Sequence, residues 1–148
     1  MLRWHTVESL DRPELAPYRT LRWPAEHERA GIFVAEGPKV VQRLLERSLA
    51  VVSVLCSARW AEDLRPALER RAETVDVFVA GDDAFERLVG HHVFQKVLAV
   101  GRVPPGPALD AALRAAPPPR LWVAVDGITN AENLGALLRN AASSAGPG

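Results

Sequence analysis

Cysteine is nearly missing from this sequence. Cys56 stands alone among 148 residues, so no intrachain disulfide can form and metal sites built on paired cysteines are excluded. Net charge is missing as well: 18 Lys+Arg balance 18 Asp+Glu, so no long-range field draws the whole molecule toward a polyanion, and any basic surface must be local. Lysine is scarce, with only Lys39 and Lys96, and a slight positive excess in the first 60 residues is the one charge bias. No stretch approaches the roughly 18 apolar residues that span a bilayer. The start, with Arg3, His5 and Glu8, lacks the apolar centre of a secretory signal. A soluble, cytoplasmic protein without a membrane partner is expected. No P-loop or dinucleotide fingerprint occurs, and His91-His92 has no companion ligands at metal-binding spacing.

Apolar residues make up 48% of the chain and charged ones 24%, enough to bury a core. Short Val-rich runs at Ile32 to Ala35, Val51 to Leu55, Val75 to Val79, Val97 to Val100 and Leu121 to Val125 read as strands. Helix-period segments separate them. Pro38 to Ser48 has proline at its first position and Val40, Val41, Leu44 and Leu45 on one side. Ala61 to Arg71 places Leu64 and Leu68 four apart, and Asp82 to Leu88 carries a capping aspartate and a terminating Gly90. This alternation predicts an α/β fold with a largely parallel sheet. Ahead of it, Leu10 to Gly31 reads as one or two short helices or an arm. Behind it, Val103 to Arg120 holds six prolines around an Ala-rich turn and reads as a semi-rigid linker. Cys56, at the end of a strand, is expected to be a buried small residue.

The last 29 residues carry the most chemistry. Leu121 to Val125 is apolar on both faces, as in a strand covered on both sides. A helix should then begin at Thr129 or Asn130, with Leu134, Leu137, Leu138, Ala141 and Ala142 forming an apolar stripe. Gly135 and Arg139, four apart, fall together off that stripe. Glycine inside a helix costs about 1 kcal/mol relative to alanine, so close approach of a ligand or backbone is a reason to keep one. Arg139 could meet a phosphate or ribose hydroxyl, and Asn133 lies near first-turn amides that suit an anion. The same residues also suit a near-cap asparagine, a packing glycine and a solvated arginine.

The spacing Asp126-x-x-x-Asn130-x-x-Asn133-x-Gly135-x-x-x-Arg139-x-Ala141, followed by Gly146, resembles the first motif of the SpoU (TrmH-type) RNA ribose 2′-O-methyltransferases. Ile32 to Val41 and Val97 to Pro104 resemble the N-terminal domain that precedes the catalytic domain in many members. The resemblance implies a ribosomal-protein-like α/β RNA-binding domain over 1–103, a Pro-rich linker over 104–119, and over 120–148 the first β-α unit of an α/β-knot methyltransferase domain. It implies methyl transfer from S-adenosylmethionine to a ribose 2′-hydroxyl of rRNA or tRNA, with Arg139 at the hydroxyl, Asn133 shaping the site and Gly135 on the substrate side. Arginine is an unusual base, since its pKa exceeds about 12, so activation would rest on phosphate contacts and positioning. Ala131 departs from the proline often found there in the family, which loses preorganisation at the helix start. The cofactor-binding and dimer-forming motifs of the family lie downstream of its first motif. The expectation is therefore a truncated form, inactive by itself as a methyltransferase, with homodimerisation expected for the full-length family.

Lys39, Arg43 and Arg47, at i, i+4 and i+8 on the Pro38 helix, could track an RNA backbone. With Glu46 beside them they equally suit an ordinary solvated face. Arg19, Arg22 and Arg29 around Trp23 could offer phosphate contacts and a stacking surface. A non-catalytic RNA-binding module is the alternative reading.

Overall fold

The computed structural model describes residues 1–21, 23–90, 95–118, 120 and 122–144. The chain falls into two compact units, Met1–Pro105 and Gly106–Gly148.

The first unit is built on five strands: β1 (Leu2–Thr6), β2 (Ile32–Glu36), β3 (Val51–Cys56), β4 (Val75–Val79) and β5 (Val97–Arg102). Their order in the sheet is β1-β4-β3-β5-β2. Helices α3 (Pro38–Glu46) and α4 (Ala58–Glu69) cover one face. There Val41, Leu44, Leu45, Leu64 and Leu68 pack on Val54, Cys56, Val75, Val77 and Val97, all buried. A 3-10 turn (Pro13–Leu15), α1 (Ala16–Arg19) and α5 (Asp82–Val89) supply the other face, where Leu15, Tyr18, Phe85 and Leu88 meet Leu55, Phe78, Leu98 and Val100. Burial on both faces explains why β3, β4 and β5 read as continuous apolar runs. Helix α2 (Pro24–Arg29) has no buried residue, so Leu10 to Gly31 contains short helices rather than an extended arm.

The expectation of a largely parallel sheet is corrected. β4 pairs in parallel with β1 and β3, but β5 is antiparallel to both β3 and β2. Beyond α5, which ends on a left-handed Gly90, the chain re-enters the sheet at Lys96, whose carbonyl accepts from the Ser57 amide at 3.0 Å. It therefore enters where β3 finishes and must run the opposite way. A run apolar on both faces carries no mark of its direction.

Other differences are local. β1 was not foreseen: only Leu2, Trp4 and Thr6 alternating with Arg3 and His5 signals it. Val40 is 51% exposed, because α3 turns Val41, Leu44 and Leu45 inward. Asp82 is the first residue of α5 rather than its cap, and Gly81 holds the cap position. Phe33 faces Gly101 across β2 and β5, and a Cβ on Gly101 would come within 2.5 Å of the Phe33 ring, so the glycine makes room for that ring.

The second unit contains α6 (Leu109–Ala115) and α7 (Ala131–Ser144). Residues 122–125 form no strand, and Trp122, Val123 and Val125 are exposed. The expected strand is thus overturned for its described residues, for a physical reason. An extended segment is held by pairing and by covered faces, and neither is present there.

Candidate functional site

Helix α3 presents the clearest cationic surface. Gly37, at φ 88°, turns the chain out of β2, and Pro38 opens the helix. With Val41, Leu44 and Leu45 buried, Lys39, Val40 and Arg43 project outward together. Glu46 does not neutralise them: its Oε1 accepts from Gln42 Nε2 at 3.0 Å. Among the described residues neither Lys39 nor Arg43 has an acidic partner. Arg47 leaves the row, since α3 ends at Glu46 and Arg47 is extended (φ −99°, ψ 167°), its carbonyl accepting from Arg71. Lys96 behaves differently. It bonds Asp82 at 3.0 Å and lies 3.5 Å from Glu86, and the Asp82 hydrogen bond comes first in raising its ammonium pKa.

The Trp23 surface is smaller than the sequence suggests. Trp23 is exposed, but the Arg19 guanidinium donates to the carbonyls of Leu10 and Arg12, and Arg22 lies outside the described residues. The other exposed aromatic of this unit, Trp4, carries the Arg65 guanidinium 4.5 Å from its ring centroid.

Helix α7 starts at Ala131 on an Asn130 cap. Asn130 Oδ1 accepts from the amides of Glu132 (2.7 Å) and Asn133 (3.2 Å). Two first-turn donors that suit an anion are therefore already taken by the cap. Gly135 and Arg139 meet, with Arg139 Nη1 3.2 Å from where a Gly135 Cβ would stand. Asn133 lies roughly a third of a turn from Arg139 around the helix, so the two flank the apolar stripe from opposite sides. Leu134, Leu137 and Leu138 of that stripe are exposed.

S-adenosylmethionine, implied by the resemblance, needs an enclosed slot for its adenosine. None of the described residues from 106 to 144 is buried, and the apolar run before α7 lies open. Those residues do not by themselves fit the cofactor.

One cluster was missed by sequence reasoning. Arg3 Nη2 donates to Asp76 Oδ2 at 2.6 Å and His5 Nε2 donates to Asp76 Oδ1 at 2.8 Å, while His5 stacks on Phe78. Partial burial would raise the Asp76 pKa, but the bonds from Arg3 and His5 outweigh it and lower it. With its charges matched, the cluster fastens β1 to β4. Cys56 is buried, and burial pushes its thiol pKa up to about 12, far from a reactive thiolate. No metal-binding group occurs among the described residues, and His91-His92 lies outside them. No described helix is long and apolar enough to cross a membrane.

No protein-family model matches the chain. Three curated mycobacterial proteins do, one from Mycobacterium bovis and two from strains of Mycobacterium tuberculosis. All are described as uncharacterized tRNA/rRNA methyltransferases, and each is 29% identical over 136 residues. That alignment takes in 89% of this chain and 46% of each relative, so the chain spans about half their length. The fold is similar to that of an AdoMet-bound rRNA methyltransferase from Sinorhizobium meliloti, with TM-score 0.52 and 18% identity over 72% of this chain and 38% of that one. It is also similar to that of an RNA 2′-O ribose methyltransferase, with TM-score 0.56 and 16% identity over 97% of this chain and 53% of that one. The resemblance carried by Asn133, Gly135 and Arg139 thus extends along most of the sequence, and the chain is a relative of the RNA methyltransferases of SpoU (TrmH) type.

Proposed function

We propose that this chain recognises rRNA or tRNA and supplies the ribose-facing part of an S-adenosylmethionine-dependent 2′-O-methyltransferase. Residues 1–103 act as the RNA-binding domain, 104–119 as the linker and 120–148 as the opening of the catalytic domain. Lys39 and Arg43 contact phosphate, Arg47 adds a cation at the end of α3, and Arg139 and Asn133 act at the 2′-hydroxyl beside Gly135. The observation that carries the reading is the Lys39–Arg43 pair, two exposed cations with no acidic partner on a helix whose one nearby acid is occupied by Gln42. The cofactor supplies the methyl group when bound. This chain's contribution is to hold the RNA and orient the hydroxyl. The homodimer of the full-length family belongs to the same proposal.

Titrating a fluorescent single-stranded RNA with the chain tests this. Binding should weaken with salt, and Lys39→Ala with Arg43→Ala should lower affinity and reduce the log–log salt slope by about two, one unit per lost phosphate contact. An unchanged slope would remove α3 from the interface. A non-catalytic RNA-binding module is favoured by the openness of 122–125. Tritiated S-adenosylmethionine separates the two readings: a longer form that binds RNA and transfers no label would establish the second.

A further inference from the structure

Gly135 is not needed for a left-handed turn, because it is absent from the glycines with positive φ and lies within α7. Glycine there makes a weaker helix than alanine would. The one atom within 4 Å of a Cβ built at 135, apart from its chain neighbours and the local helix backbone, is Arg139 Nη1, at 3.2 Å. Side chains on a helix lean toward its N-terminus, so the Arg139 guanidinium lies back over the preceding turn, against the bare Cα. No carboxylate or carbonyl among the described residues holds that guanidinium. Its resting place is therefore set by the missing side chain at 135.

We infer that Gly135 is a positioning residue for Arg139. By leaving a methyl-sized gap it lets the guanidinium lie low on α7 with its outward N–H groups open to a ribose and its phosphate. A methyl at 135 must push Nη1 outward by a few tenths of an ångström, and a longer side chain must push it further. The inference rests on the proposed place of Arg139 at the 2′-hydroxyl, and it has an unusual sign: substitution at 135 should strengthen the helix while weakening what Arg139 does.

The test uses the full chain and its Gly135→Ala, Gly135→Met and Arg139→Ala variants. Anisotropy gives the affinity for a short single-stranded RNA relative to the same sequence carrying 2′-O-methyl riboses. The 15N–1H resonance of Arg139 Nε reports the guanidinium, and circular dichroism reports the helix. The wild type should prefer unmodified RNA. Gly135→Ala should reduce that preference about threefold and Gly135→Met about tenfold, consistent with loss of a charge-assisted hydrogen bond. The Nε resonance should shift in the same order while helicity holds or rises. A preference unchanged in both Gly135 variants but lost in Arg139→Ala would overturn the inference and leave the reading of Arg139 standing. No preference in the wild type, or one that survives Arg139→Ala, would overturn that reading and the inference with it.

Discussion

β3 and residues 122–125 are nearly the same sequence physics with opposite outcomes. Val51–Cys56 is a Val-rich apolar run, paired on both edges and buried. Residues 122–125 are Trp-Val-Ala-Val, equally apolar, yet they form no strand and are exposed. The difference lies in the neighbours. β4 and β5 flank β3, and α3, α4 and α5 cover the sheet, whereas the described residues from 106 to 144 give 122–125 no such company. An apolar run is a request for burial, which only other elements can grant.

The sharpest way to break this contrast is amide hydrogen exchange. Amides of 122–130 should exchange at least about a thousandfold faster than those of β3, since open backbone exchanges near its intrinsic rate and core strands only on global opening. Equal protection would show that the segment is docked after all.

A second test asks what secures the first unit. Arg71 uses its whole guanidinium: Nε and Nη2 donate to Glu73 Oε1, Nη1 to the carbonyls of Leu45 and Arg47, and Nη2 also to Leu49. The Arg71 side chain is 11% exposed and closes the end of α3 onto the turn before β3. Arg71→Ala should cost about 3–5 kcal/mol in urea unfolding, because Glu73 and three carbonyls lose their donor. A loss below about 1 kcal/mol would mean water replaces it.

A smaller effect is expected at Gly101. A Cβ there meets the Phe33 ring at 2.5 Å, so Gly101→Ala should destabilise by about 1–3 kcal/mol. Phe33→Leu in the same chain should recover part of that loss. No recovery would place the strain elsewhere.

The smallest effect concerns acid. Partial burial would raise the Glu73 pKa, but Arg71 and the Val51 amide outweigh it and bring it down to about 2. A carboxylate depressed in the folded state contributes stability that is present above its unfolded pKa, near 4.5, and is lost as pH falls toward about 2. Glu73→Gln should flatten the stability profile within that window. A slope equal to wild type would assign the acid sensitivity to Asp76, also lowered, by Arg3 and His5.

Much of the first unit was legible. The runs that became β2 to β5, the burial of Leu64 and Leu68, and Gly90 as the end of α5 all follow from local pattern. β1 was harder, because an edge strand needs only half its residues inside, and Arg3 and His5 mask the alternation. Near the candidate site, the closeness of Gly135 and Arg139 followed from helical spacing. The occupation of first-turn amides by Asn130 and the departure of Arg47 from the α3 row did not, since Asn130 and Thr129 both had the chemistry of a cap and α3 had two residues of uncertain end.

By itself the sequence determined the period of each element, the placement of its apolar residues and the motif relating this chain to RNA methyltransferases, because those are properties of neighbours along the chain. Tertiary structure decided that β5 runs antiparallel, that Glu46 leaves Lys39 and Arg43 free, and that an apolar run becomes a strand at 51–56 but not at 122–125. Direction, partner and burial are set by what lies beside a residue in space, and no spacing along the chain encodes them.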